Sequence, residues 1–246
     1  MLRAIIALAT LMAGITTLSA KHNEAVYDVS FGMLGKVGAS HAVLDTNATH
    51  YTIRIDMKAT GAAKSLSGNR QEVHRSFGHL SNGRLIADRY EVERTYGKKT
   101  VRKSYRFDHR AHRIHKLYEK FKNGKRYDRQ ESVLPFYTTD DLLTLYFNLD
   151  RYIDKRKPGT YRFKTVGAER QGGFVELIVP DAKAKQRYID DLGPGAAWYA
   201  TAIIHQKLFT NEEGRLELAV GKDGITEKAL IKDVALFGDV KAVRVK

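Results

Sequence analysis

Apolar and polar residues alternate along most of this chain, in short runs that end at turn residues. Tyr27, Val29 and Phe31 alternate with Asp28 and Ser30. From His50 to Met57 the residues Tyr51, Ile53, Ile55 and Met57 share one face. A period of two marks a half-buried strand. Turn signals follow at Ser81-Asn82-Gly83, Tyr96-Gly97-Lys98, Lys122-Asn123-Gly124 and Lys222-Asp223-Gly224. Asn-Gly and Asp-Gly favour tight hairpins, because both turn residues take positive φ. Ile225 to Leu236 and Val240 to Val245 read as a closing pair of strands.

Three segments break the alternation. Thr60 to Leu66 has room for one or two helical turns, and Asp181 to Leu192 is amphipathic and ends at Gly193-Pro194. The clearest helix runs from Asp140 to Ile153. There Leu142, Leu145, Tyr146, Leu149 and Ile153 fall on one face, with Leu143 and Phe147 beside it. Asp141, Thr144, Asn148 and Arg151 form a narrow polar stripe opposite. A helix this apolar is largely buried. Among strands, it is expected in the concave side of a curved sheet. Ile114, Leu117, Tyr118 and Phe121 fit helical spacing as well as one arm of a hairpin turning at Asn123-Gly124. The hairpin is preferred, because consecutive strands tend to pair. The pattern therefore predicts a mainly β fold. It would be a curved antiparallel sheet or partly open β-barrel, with one buried helix at about Asp140–Ile153 and one or two minor helices.

Composition adds a compartment. Arg3, an apolar stretch from Ala4 to about Ile15 and the exit Thr17-Leu18-Ser19-Ala20 have the form of a signal peptide. The apolar stretch is shorter than the roughly 20 residues that span a bilayer. Residues 1–20 are thus read as a leader and 21–246 as a single β-rich domain in the periplasm, soluble and without a lipid anchor. The chain has no cysteine, which removes disulfides, thiolate nucleophiles and cysteine metal sites. Its formal net charge is +14, and loss of Arg3 with the leader leaves +13. Such a charge favours polyanions. For an exported protein these are envelope lipid, lipopolysaccharide or acidic glycan, and no nucleic acid is expected.

Candidate chemistry is sparse. Asp140 and Asp141 are adjacent, so at a helix start they diverge by about 100°. Acidic residues in a first turn are expected from the helix dipole alone, and Thr139 or Asp140 is placed to cap it. The structural role outweighs the catalytic one. His109, His112 and His115 are crowded by Arg106, Arg110, Arg113 and Lys116, a field that opposes a cation. His41, His50, His74, His79 and His205 show no ligand spacing. No metal site, cofactor or catalytic residue is assigned. Between Arg84 and Arg129 stand 16 Lys or Arg against 6 Asp or Glu, interleaved with Tyr90, Tyr96, Tyr105, Phe107, Tyr118, Phe121 and Tyr127. Such a ribbon can hold anions, and Arg102, Arg106, Arg113 and Lys116 are taken as its contacts. An apolar guest in the concave sheet would meet Leu142, Tyr146, Phe147 and Trp198.

Three segments together carry a resemblance: EAVYDVSFGMLGKVGAS, LPFYTTDDLLTLYFNL and DGITEKALIKDVALFGDVKAVRV. They resemble an uncharacterised family of exported proteins from Gram-negative bacteria, a β-rich domain of unknown function. The likeness runs from about Val26 to Val245, and Pro180 to Ala197 departs from it. It implies a periplasmic β-rich domain and brings no catalytic or ligand residues. The leading expectation is a non-enzymatic envelope protein that binds an apolar or amphipathic, anionic envelope molecule. The alternatives are an envelope-polymer hydrolase using Asp140 or Asp141, and a protein-interaction scaffold.

Overall fold

The computed structural model describes residues 20–154, 157–169, 172–204, 214–232 and 238–246. The proposed leader up to Ser19, and also His205 and Phe237, lie outside them. Eight strands come first: β1 (Lys21–Phe31), β2 (Lys36–Thr46), β3 (His50–Ala59), β4 (Gln71–Ser81), β5 (Arg84–Tyr96), β6 (Lys99–Asp108), β7 (Arg113–Lys122) and β8 (Lys125–Val133). A short helix α1 (Gly61–Leu66) interrupts them between β3 and β4. Then follow α2 (Leu142–Tyr152), β9 (Gly159–Lys164), β10 (Phe174–Val179), α3 (Ala182–Leu192), β11 (Trp198–Ile203), β12 (Arg215–Val220), β13 (Thr226–Ile231) and β14 (Val240–Arg244).

The fourteen strands among the described residues form one sheet, in the order β8-β7-β6-β5-β4-β3-β2-β1-β14-β13-β12-β11-β10-β9. Every strand pairing is antiparallel. The hairpins turn where the sequence places them. Asn82 and Gly83 have φ of 51° and 73°, and Asn123 and Gly124 have 51° and 76°. Arg113 to Lys122 is strand, as the hairpin reading requires. The terminal strands β1 and β14 pair in the middle, so the two free edges are β8 and β9. The sheet is curved and does not close edge to edge.

The segment joining those edges carries α2 into the concave side. Leu143 packs in one apolar cluster with Tyr51, Ile53, Leu85, Tyr90, Tyr105, Phe107 and Ile114. Leu145, Leu149 and Ile153 pack in a second with Val175, Leu177, Trp198, Ala200, Leu218 and Val220. The first cluster is built on β3–β7 and the second on β10–β12, so α2 is the wedge between the two halves of the rolled sheet. On the convex face, Tyr188 and Leu192 of α3 cover Tyr199, Ala219 and Leu230. α3 occupies the segment where the sequence resemblance breaks off.

One expectation about α2 needs correction. Its N-cap is Asp141, not Thr139 or Asp140: the Asp141 carboxylate accepts from the Leu143 and Thr144 amides, and Thr144 Oγ1 accepts from the Asp141 amide in return. Most of the polar stripe is buried along with the apolar faces. Asp141, Thr144 and Asn148 are 0 %, 0 % and 2 % exposed, while Arg151 alone of the four is exposed. The cause is the enclosure of α2 over all but its last turn, where Asp150 and Arg151 are exposed. Along the enclosed part, polar residues must find partners in the protein.

Candidate functional site

The polar side of α2 docks onto the start of β5. Asn148 Nδ2 donates to Leu85 O at 2.8 Å, and Asn148 Oδ1 accepts from Leu85 N at 3.0 Å. The same amide group donates to Asp140 Oδ1 at 2.8 Å, and the Tyr152 hydroxyl donates to Asp140 Oδ2 at 2.6 Å. Ser76 Oγ donates to Asp141 Oδ2 at 2.5 Å and meets the Tyr51 hydroxyl at 2.9 Å. Burial pushes the Asp141 carboxyl up to about 7, against the pull of bonds from Ser76, Thr144 and Leu143. Burial raises Asp140 too, against bonds from Tyr152 and Asn148. The two carboxyls are therefore perturbed, but by enclosure within a saturated seam.

The four residues set out for an apolar guest all join the packing around α2. Leu142 and Tyr146 pack against the second cluster and Phe147 against the first. The Tyr146 hydroxyl donates to Gly224 O at 3.0 Å and meets Thr226 Oγ1 at 2.9 Å. Trp198 is buried at the start of β11, opposite Val220.

The basic and aromatic ribbon is β5 to β8. β8 is exposed along almost its whole length, while Tyr90, Tyr105 and Phe107 point into the core. Register separates the four expected contacts. Arg102, Arg106 and Arg113 share the parity of the convex face, opposite to that of Tyr105 and Phe107. Lys116 pairs with Tyr105 and faces inward, with Nζ 5.6 Å from the Tyr105 ring and 3.6 Å from a Glu169 oxygen. Arg102 lies 4.9 Å from the Phe121 ring and donates to Glu93 at 2.5 Å. Lys120 sits 5.3 Å from the Tyr118 ring and 2.8 Å from Asp128. The ribbon thus presents cations held over aromatic rings, several of them partly neutralised by carboxylates.

A third arrangement was not visible in the sequence. β4 and β5 slip register between Phe77 and Gly78: Phe77 faces Arg89 and Gly78 faces Ala87. Asp88 is the extra residue of that bulge. Gly78 is required there, because a Cβ would come 1.9 Å from Ile86 O and 2.8 Å from the Tyr51 ring. The Ala87 amide donates to Thr139 O at 2.9 Å, which ties the bulge to the loop before α2. Two histidines converge on Asp88. His79 Nδ1 lies 3.0 and 3.1 Å from its two oxygens, and His109 Nε2 lies 2.9 Å from Oδ1. Behind His109, Nδ1 meets the Tyr137 hydroxyl at 2.7 Å. Burial, with the charges of Asp108 and Asp88, raises the Tyr137 phenol and keeps it protonated. The three side chains are 39 %, 44 % and 30 % exposed in the order His79, Asp88, His109. His109 stands in the β6–β7 turn, in a loop as its sequence suggests, but its ring is held by Asp88 and Tyr137 and is only partly exposed. Its partners come from a different hairpin, 30 residues earlier in the case of His79, which is why spacing did not show them.

No family model matches this chain, and no curated protein matches it. A solved structure does. A beta-barrel-like protein of domain of unknown function DUF1849 from Brucella abortus is similar with a TM-score of 0.50, at 11 % sequence identity, over 92 % of this chain and 96 % of that one. At that identity the likeness speaks for the fold. The chain has a β-rich, beta-barrel-like architecture.

Proposed function

We propose that this is an exported, periplasmic, non-enzymatic protein of the cell envelope, which holds an anionic amphipathic envelope molecule on the convex side of β6–β8. The observation that carries this reading is the cation-over-ring contact of Arg102 with Phe121, which share the convex face near the open edge of the sheet. Such a pair gives an amphiphile both an apolar surface and a charge. Arg106 and Arg113 extend the same face toward the β6–β7 turn. The net charge of the chain supports the sign of the ligand. The packing of Leu142, Tyr146, Phe147 and Trp198 around α2 favours an external site over an internal one.

Flotation with vesicles tests the proposal. Binding is expected to vesicles containing phosphatidylglycerol or lipopolysaccharide and to fall as salt rises. Replacing Arg102, Arg106 and Arg113 with Ala is expected to weaken it on the order of 100-fold, at about 1 kcal/mol per basic residue. Equal binding to neutral vesicles, or no change in the triple variant, would refute it. A scaffold role has one observation in its favour, the outer edge of β8, which no strand among the described residues covers. The charged residues along that edge disfavour strand addition. The hydrolase reading has less support, since both aspartates are buried and bonded.

A further inference from the structure

We propose that His79, Asp88 and His109 form a binding site for one divalent transition-metal ion of the Zn²⁺ class. The convex lipid surface proposed above makes no use of this cluster. Each residue offers one ligand atom, and the three atoms lie within 4.8 Å of one another. A tetrahedral zinc ion with bonds of about 2.0–2.1 Å holds its ligand atoms about 3.3 Å apart. The Asp88 oxygens already lie 2.9–3.1 Å from the two imidazole nitrogens. Admitting the ion requires shifts of a few tenths of an ångström at Asp88, and some approach of the two rings.

Protons balance within the site. Without metal, the Asp88 carboxylate accepts N–H bonds from His79 Nδ1 and His109 Nε2, while the Tyr137 hydroxyl donates to His109 Nδ1. On binding, the His79 proton moves to Nε2. The His109 proton moves to Nδ1, where the Tyr137 oxygen accepts it. A hydroxyl can take either role. Tyr137 thereby stands behind a ligating histidine in the way outer partners orient metal-bound imidazoles.

Two backbone features present these ligands. The bulge at Phe77/Gly78 leaves Asp88 with no partner residue on β4, so its side chain is aimed at the two rings. The Ala87–Thr139 bond brings the Tyr137 loop onto the same bulge. The cationic field inferred from the sequence is locally relieved. Arg89, the next residue, pairs with Glu91, and the charge of Arg106 acts on Asp108. Two imidazoles and one carboxylate suit Zn²⁺, Cu²⁺ or Ni²⁺ and not the oxygen-seeking Mg²⁺ or Ca²⁺. The partial exposure of all three leaves a fourth position for water, so the ion is exchangeable. When bound it clips the β4–β5 hairpin, the β6–β7 turn and the loop entering α2 together.

The test uses protein purified without a histidine tag and stripped by a chelator. Calorimetric titration with Zn²⁺ is expected to give one ion per chain, unaffected by millimolar Mg²⁺ or Ca²⁺. Co²⁺ is expected to give the visible absorption of a four-coordinate site. Asp88→Asn, His79→Gln and His109→Gln should each weaken Zn²⁺ binding at least 10-fold, and Tyr137→Phe about 10-fold. His41→Ala, a histidine on β2 outside the cluster, should leave it unchanged. Circular dichroism identifies any variant that misfolds, and the others then decide the matter. Absence of one-to-one binding, or folded cluster variants that bind as tightly as the parent, would overturn the proposal.

Discussion

Asn148→Ala is the sharpest test of how α2 is held. The side chain makes three hydrogen bonds, to Leu85 N, Leu85 O and Asp140 Oδ1. All the groups involved are buried. Truncation leaves a backbone N–H and a backbone C=O without their partner, at about 1–3 kcal/mol each. Asp140 keeps its bond from Tyr152, so its loss is smaller. The sum is about 4 kcal/mol, a large share of the roughly 5–15 kcal/mol that stabilises a domain. For a chain of this size it lowers the melting temperature by about 8–16 °C. Urea denaturation followed by tryptophan fluorescence reads it well, because Trp198 belongs to the second cluster against which α2 packs. Asn148→Asp keeps the shape but sets a second carboxyl against Asp140. Its deficit should grow from pH 5 to pH 8, as the shared proton is lost. A loss below about 1 kcal/mol in Asn148→Ala would refute the idea that this seam, rather than the leucines alone, fixes the helix in the sheet.

The pH dependence of stability follows from Asp141. Its carboxyl is raised from 3.8 to about 7, so the folded state holds a proton that the unfolded chain releases. Stability should therefore be highest near pH 4, fall as pH rises to about 7, and level off above it, by roughly 4 kcal/mol at 1.36 kcal/mol per pKa unit. Asp140 acts in the same direction. Asp141→Asn, which can still cap the helix, should flatten the slope between pH 4 and 7 in urea titrations; an unchanged slope would mean Asp141 is ionised throughout. Glu72 acts oppositely. Bonds from His74 and Arg94 overcome the burial that would raise its carboxyl, and hold it well below the usual carboxylate range. Its contribution is present above pH 4.5 and lost as pH falls further. Gly78→Ala should be among the most damaging single changes, costing more than about 3 kcal/mol, because the new methyl meets Ile86 O and the Tyr51 ring; a melting temperature within 2–4 °C of the parent, about 1 kcal/mol, would mean the bulge relaxes. Tyr146→Phe should cost about 1 kcal/mol by thermal melting, for the bonds to Gly224 and Thr226.

The local elements were legible in the sequence because their causes are local. Alternation at Tyr51-Ile53-Ile55 marks a strand whichever sheet receives it, and Asn82-Gly83 and Asn123-Gly124 turn because those residues tolerate positive φ. The apolar spacing from Leu142 to Ile153 likewise announces a buried helix. What the sequence could not show is what lies opposite each residue. Asn148 reads only as part of a polar stripe, and its partner is unknown until β5 is placed beside it. Lys116 reads like Arg113 until register turns them to opposite faces. His79, Asp88 and His109 come from two hairpins, and only the Gly78 bulge and the antiparallel order β4-β5-β6 bring them together. Periodicity encodes which side of an element is apolar. The partners of its polar residues depend on the roll of the whole sheet around α2, which no single segment contains.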